Sequence, residues 1–344
     1  MGGVLGALGG TVGRFVVFGS LVAAAALLSP LATPASAEER AGSACAWAWT
    51  DLPVPEGSRE TTVVGSDGNG VRVGRASQEW PAPSQVVVWR GEVVEVLGTA
   101  FGQDTEVFDV NADAVVVGTA GNLPVRHRAG AWERLPVPEG TTRGSARRIN
   151  DAGDVLGVLD VDRPILWRAS NPGSYELLQG PAPGYTEYTD LADDGSVTAW
   201  GVLAGGLPRG GFVLRPGDVW RQVDRPEATP ATYPHTTGGG SVVGFAYSAD
   251  YGTTAQVEWD LDGRVLHTYA DAYPVAVNAS GRILGRRNSD WGLTIWRAGS
   301  VEAALPVPDG FGVGAVGLDD DGSVIAQASD PSGAWSKPVV ARCS

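Results

Sequence analysis

Chemistry needs side chains that titrate, ligate or attack, and this chain carries few of them in recognisable patterns. Its three histidines, His127, His235 and His267, fall in different copies of a repeating sequence and at different places within the copy. They do not suggest a tetrahedral metal site, and no metal is expected. His127 stands where other copies carry Trp and reads as a packing substitute. There is no Gly-x-Ser-x-Gly, no zinc-ligand spacing and no phosphate loop, so no cofactor is expected either. Asp319-Asp320-Asp321-Gly322 and Asp260-Leu261-Asp262-Gly263 open like calcium loops but lack the Glu at the twelfth position. Hairpin turns account for both more simply. What remains is a set of aromatic rings set among charges: Trp80, Trp200, Tyr247, Tyr251, Trp291 and Trp335, beside Arg209, Arg286, Arg287, Asp250, Asp290 and Asp330. Such a mixture suits recognition of a sugar or a protein surface, because flat apolar faces contribute area while charges orient the ligand.

The elements that must position these residues come from a phrase that recurs seven times. Its clearest copy is Ile149-Asn150-Asp151-Ala152-Gly153-Asp154-Val155-Leu156-Gly157, and its turn falls at Gly70, Ala114, Gly153, Gly195, Gly240, Gly281 and Gly322. Spacings of about 40 residues without helical periodicity point to propeller blades. The phrase reads as a hairpin, in which a residue able to adopt positive φ ends one strand and alternating Val, Leu or Ile begins the next. Asp67, Asn111, Asn150, Asn278 and Asp319 precede the turn and are expected to bond their own backbone two residues on.

A third strand ending in a bulky and a charged residue follows, as in Val88-Trp89-Arg90, Leu166-Trp167-Arg168 and Ile295-Trp296-Arg297. A fourth strand comes next, and then a connector, three times in nearly the same words: 52–57, 135–140 and 305–310. Proline at alternate positions removes ladder donors, so these stretches are connectors. In this arrangement the loops between second and third strands share a face with the connectors. That face is the expected ligand face, with the twelve aromatic and charged residues above on its loops.

The seventh copy ends one strand short, and the missing strand is at the other terminus, Ala46 to Leu52. The expected fold is therefore all-β, a seven-bladed propeller of four-stranded antiparallel blades whose N-terminal strand completes the last blade and closes the ring. Cys45 and Cys343, the only cysteines, flank the two segments that meet at this seam and are expected to form a disulfide.

Residues 1–37 read as a secretory signal: one charge at Arg14, an apolar stretch from Phe15 to Leu28, and Ala35-Ser36-Ala37 before Glu38. The apolar stretch is short for a bilayer span. Residues 38–44 form a short lead, and 45–344 a single propeller domain. The net charge of −14 becomes −15 once the segment holding Arg14 is removed, which argues against nucleic acid or an anionic membrane as partner. Lys337 is the sole lysine, a bias that fits a bacterium with a GC-rich genome.

With phrases such as Ile149 to Gly157 and strands such as Ile165-Leu166-Trp167, the chain resembles bacterial extracellular HAF-repeat proteins, across about seven units. The resemblance implies architecture and export, not an activity. Ser248-x-Asp250-x-Gly252-x-Thr254 and Asn288-x-Asp290-x-Gly292-x-Thr294 resemble the Asp box of sialidase-like propellers, itself a structural turn. The expectation is a secreted, monomeric, non-catalytic scaffold that binds an extracellular protein or glycan. The alternative is an extracellular hydrolase or lyase acting on polysaccharide with acids from the channel-lining first strands, and a third option is a structural envelope protein.

Overall fold

The structure, a computed structural model, describes residues 46–344 apart from 80–81, 161, 182–184, 204–208, 228, 249–253, 271, 308–310, 331 and 333–334. The chain divides into two units, 1–44 and 45–344. The signal segment, the lead and Cys45 lie outside the described residues. Among those that are described, no helix is long and apolar enough to cross a membrane.

Residues 46–344 form seven four-stranded antiparallel sheets. Six are built from four consecutive strands, and the first strand of each touches the first strand of its neighbours, so the seven inner strands close a ring around a channel. The seventh blade contributes three strands, Gly312–Leu318, Val324–Ser329 and Ser336–Cys343, and its outer place is taken by Trp47–Asp51. That strand runs antiparallel to the last one in the register Trp47↔Cys343 to Asp51↔Val339. The N-terminal strand thus closes the ring as expected, which leaves no blade incomplete.

The turn positions expected to reach positive φ all do so, Ala114 included (φ 56°). The Asx residues behave less uniformly. Asp67, Asn111, Asn150 and Asn278 all accept from the backbone four residues on, but only Asp67 and Asn278 also accept from two residues on. Asp319 turns instead towards Ser66 and Arg72 of blade 1. Blade 5 replaces the Asx loop by a two-residue hairpin at Gly239-Gly240, both at positive φ, a type I′ geometry suited to strand twist. The outer strands of blades 3 and 4 shrink to Glu176–Leu177 and Arg221–Gln222. The sequence suggests strands from Tyr175 to Leu178 and from Val219 to Val223, but Pro172-Gly173 and Pro216-Gly217 fill the preceding turns, and short outer strands also blunt an exposed edge.

The core is a series of layers between neighbouring blades. One such layer joins Val117 of blade 2 to Ala146, Val155, Ile165 and Trp167 of blade 3, and the seam layer joins Val63, Val87 and Trp89 of blade 1 to Ile325 and Val340 of blade 7. The repeated Trp of the third strand has two contacts that explain its neighbours. Its indole N–H donates to a connector carbonyl: Trp89 to Pro53 (2.7 Å), Trp167 to Pro136 (2.7 Å) and Trp259 to Asp224 (2.8 Å). The ring edges of Trp89, Trp167 and Trp296 also lie over Gly74, Gly157 and Gly285, the glycine that ends the repeated phrase. A Cβ at Gly157 would stand 2.3 Å from the Ser145 carbonyl and 2.6 Å from the Trp167 ring. Blades 4 and 7 carry Ala199 and Ala326 at this place, with the smaller Leu214 and Ala341 where Trp would be. The volume is exchanged, not added.

Candidate ligand-binding site

Each inner strand carries a β-bulge at the same place, with Val64, Phe108, Arg147, Thr189, His235, Val275 and Val316 as the extra residues. A bulge re-aims the side chains around it. Here it lets residues on either side of the pleat line the channel, a cavity of about 530 Å³. The lining is one-sided. Val64, Val275, Val316 and Phe108 supply an apolar arc, while Asp109, Arg148, Asp190 and His235 supply a polar one across blades 2 to 5.

The polar arc is a set of inter-blade staples. Asp109 accepts from the backbone N–H of Ile149 in the next blade (3.0 Å) and from that of Val110 (3.0 Å). Arg148 donates to the Thr189 carbonyl (3.0 Å), and its Nε stands 3.4 Å from Asp190. Asp190 in turn accepts from the N–H of Thr237 (2.7 Å) and from the hydroxyls of Thr236 and Thr237. Burial pushes the Asp109 carboxyl up to about 7, against the pull of Arg148 and the Ile149 N–H. His235 is held below the ordinary imidazole value by burial first and by Arg148 second.

Above these staples the hairpin turns form a collar. Ala112 N–H donates to Asp151, Asp151 N–H to Asp193, and Ala279 N–H to Asp320. Asn111, Asn150 and Asn278 each donate their amide to a carbonyl of the next blade's turn. The acidic turns therefore have their oxygens engaged by protein donors. Asp319 meets Arg72, Asp320 meets Ala279 and Asp321 meets the Ser323 N–H. Among the described residues no cluster of three metal-binding side chains occurs. His127 packs edge-on against Trp132 at 5.0 Å in the Trp slot.

The opposite mouth of the channel, on the connector side, opens into a second cavity of about 560 Å³ lined by Trp200, Tyr233, Phe245, Tyr247 and Tyr273 together with Glu187, Arg209 and His235. The rings are in continuous contact: Trp200 meets Tyr233 at 5.2 Å, Tyr233 stacks on Phe245 at 5.0 Å, and Phe245 stacks on Tyr273 at 5.0 Å. Arg209 lies over Trp200 at 5.1 Å and Tyr233 at 5.9 Å. The repeat explains the placement. Trp200, Phe245 and Arg286 each follow the small residue that ends the phrase in blades 4, 5 and 6, and their cross-strand partners are Glu187, Tyr233 and Tyr273. Burial raises the Tyr273 hydroxyl above its ordinary range, with Tyr247 adding to the rise and Arg286 opposing it.

Of the residues expected on a ligand face, Trp200, Arg209 and Tyr247 come together here, and Arg286, outside the cavity lining, is the cross-strand partner of Tyr273. They are not on loops. Trp200, Tyr247, Arg286 and Arg287 end second strands and Arg209 begins a third, because the ladders extend to the connector face. The others stand apart from the cradle. Arg287 and Asp290 pair with each other (2.9 and 2.7 Å), and Asp290, held below the usual carboxylate range chiefly by Arg287, also accepts from the Gly292 N–H. Trp291 projects from this turn, 68 % exposed. Asp330 accepts from the Ser332 hydroxyl. Trp335 packs against Phe311 at 5.4 Å, beneath Lys337, and backs onto Ala326, Ala328 and Val339. Trp80, Asp250 and Tyr251, with Cys45, lie outside the described residues. Sequence reasoning passed over Glu187, Tyr233, Phe245 and Tyr273, which read as ordinary strand residues. Aligning the seven copies position by position sets Tyr233 and Tyr273 apart, since the same place holds Thr62, Glu106, Ser145 and Gly314 in blades 1, 2, 3 and 7.

No protein-family model and no curated protein matches the chain. Solved structures do. An oligogalacturonate lyase from Vibrio parahaemolyticus superposes with a TM-score of 0.58 at 12% identity, covering 87% of this chain and 97% of that one. Virginiamycin B lyase from Staphylococcus aureus superposes at 0.53 with 11% identity, covering 86% and 98%. YCF48 bound to the D1 peptide superposes at 0.54 with 13% identity, covering 86% and 96%. At these identities the likeness is one of fold: the chain is a seven-bladed β-propeller, an architecture shared by lyases and by a peptide-binding protein alike.

Proposed function

We propose that this is a secreted, non-catalytic binding propeller that takes a glycan on the aromatic cradle of blades 4 to 6. The continuous run of rings from Trp200 to Tyr273 carries the reading. Sugar rings offer flat C–H faces that stack on such surfaces, and Glu187, Thr189 and His235 at the cavity wall offer groups for hydroxyls. The state of the channel acids supports the non-catalytic part. Asp109 and Asp190 are spent on backbone and hydroxyl donors of the neighbouring blades, so neither is poised opposite a partner across a substrate. Export by the N-terminal segment, a Cys45–Cys343 disulfide at the seam and kinship with HAF-repeat proteins belong to the same proposal. The pairing of Trp47 with Cys343 supports the disulfide, because it brings the two ends of the ring side by side.

A glycan array probed with residues 38–344 tests the function, with Trp200→Ala and Tyr233→Ala alongside. Saturable binding lost in both variants is the expected result. Binding that survives both substitutions would move the site elsewhere, and binding to no glycan would overturn the proposal.

A further inference from the structure

Resting on that reading, we infer that the cradle takes an acidic oligosaccharide, whose carboxylates are held by Arg209 at one end and Arg286 at the other. The chain is acidic overall, with a net charge of −14, and arginines such as Arg75, Arg168 and Arg282 meet a carboxylate. Arg209 and Arg286 meet none among the described residues. Nor is either Nε bonded among the described residues, which holds for Arg75 and Arg282 as well, so the missing carboxylate is what sets the two apart; the polar contact of Arg209 among those residues is a long 3.4 Å bond to the Tyr233 hydroxyl. A cavity-lining guanidinium that meets no carboxylate of its own protein can pair with one from a ligand, and such charge-assisted bonds are among the stronger ones.

The geometry suits a carboxylate on a sugar in particular. The Arg209 guanidinium lies over the Trp200 ring at 5.1 Å and near that of Tyr233 at 5.9 Å, and its planar fork of donors matches the two oxygens of a carboxylate. The rings beside it take the sugar face. Arg286 stands two blades on as the cross-strand partner of Tyr273, in the position that Trp200 occupies in blade 4. Glu187, the acid in the cavity lining, stands beside Tyr185 and adds to the burial that holds that hydroxyl above its ordinary range. Uronic-acid units at either end of the ring run would each meet one guanidinium.

Calorimetry on residues 38–344 tests this with hexamers of galacturonic acid and of mannuronic acid, each beside its carboxyl-reduced neutral counterpart, and with a glutamate hexapeptide. The expected result is that at least one acidic hexamer binds about tenfold or more tightly than its neutral form, and that Arg209→Gln and Arg286→Gln each remove about tenfold from the acidic ligand only. If either variant fails to fold, the acidic and neutral pair and the other variant carry the test. Equal binding of acidic and neutral hexamers would overturn the inference and leave the glycan reading standing. Tighter binding of the glutamate peptide would overturn the choice of a sugar. Binding of none of the sugars would overturn the inference and leave the glycan reading to the array.

Discussion

Arg72 in blade 1 donates to Asp319 in the turn of blade 7, and with side chains only 2 % and 4 % exposed the two form a buried ion pair across the seam of the ring. The position of Arg72 holds Val116, Val155, Val197, Val242, Ile283 and Val324 in the other blades, and the turns of blades 2, 3 and 6 meet their neighbour through an Asn amide on a carbonyl. Charge has replaced an apolar contact and an amide bond at the junction between the first and last blades. Removing one partner strands a buried charge. Asp319→Ala is expected to cost about 3–5 kcal/mol in urea denaturation. The double variant Arg72→Val with Asp319→Asn restores the pattern of the other blades, and it should recover most of that loss. A double variant as unstable as the single one would show that the pair does more than satisfy itself.

The glycine under each Trp should be intolerant. Gly157→Ala places a Cβ against the Ser145 carbonyl and the Trp167 ring and is expected to destabilise by about 1–3 kcal/mol. Combined with Trp167→Leu, which copies the Ala199 and Leu214 pair of blade 4, the cost should be less than the sum of the single costs. Strict additivity in thermal or urea melts would refute the volume exchange.

The connector carbonyls make a separate prediction. Trp167→Phe keeps most of the ring but leaves the Pro136 carbonyl without its indole donor. A loss of about 1–2 kcal/mol is expected. Trp291→Ala, on an exposed turn, should change stability by less than about 0.5 kcal/mol and leave ligand binding unchanged.

Asp109 should give the fold a pH dependence. Its carboxyl titrates near 7 in the folded protein and near 3.8 in the unfolded chain. Between those values the folded state holds a proton that the unfolded state releases. The contribution is therefore greatest below the lower value and is lost as pH rises through about 7. Measured from pH 5 to 8.5, the stability of the native protein relative to Asp109→Asn should fall with pH, by an amount of order 1–3 kcal/mol. A flat difference would place Asp109 in a more hydrated setting than the channel suggests.

The blades, their number and the closing strand were legible because each rests on local chemistry repeated seven times. A positive-φ turn at Gly153 and its equivalents, alternation in the strands and proline in the connectors each act within a few residues, and the missing strand follows from counting. The aromatic cradle was legible only in part. Trp200, Arg209 and Tyr247 were singled out, but as loop residues and in company with Trp291 and Trp335, which lie elsewhere. The sequence alone does not say which side chains of blades 4 to 6 turn towards one another at the channel mouth. It also does not say that a bulge in each inner strand turns Asp109, Asp190 and His235 inward, since the bulge residues Val64 to Val316 share no side-chain type.

The sequence by itself determined the repeat, the turns and the closed ring, because propensity and proline chemistry act along the chain. Only the tertiary structure decided which rings touch, which arginines lack a partner and which acids serve as staples. Those properties depend on side chains some 40 residues apart that meet only when blades pack side by side.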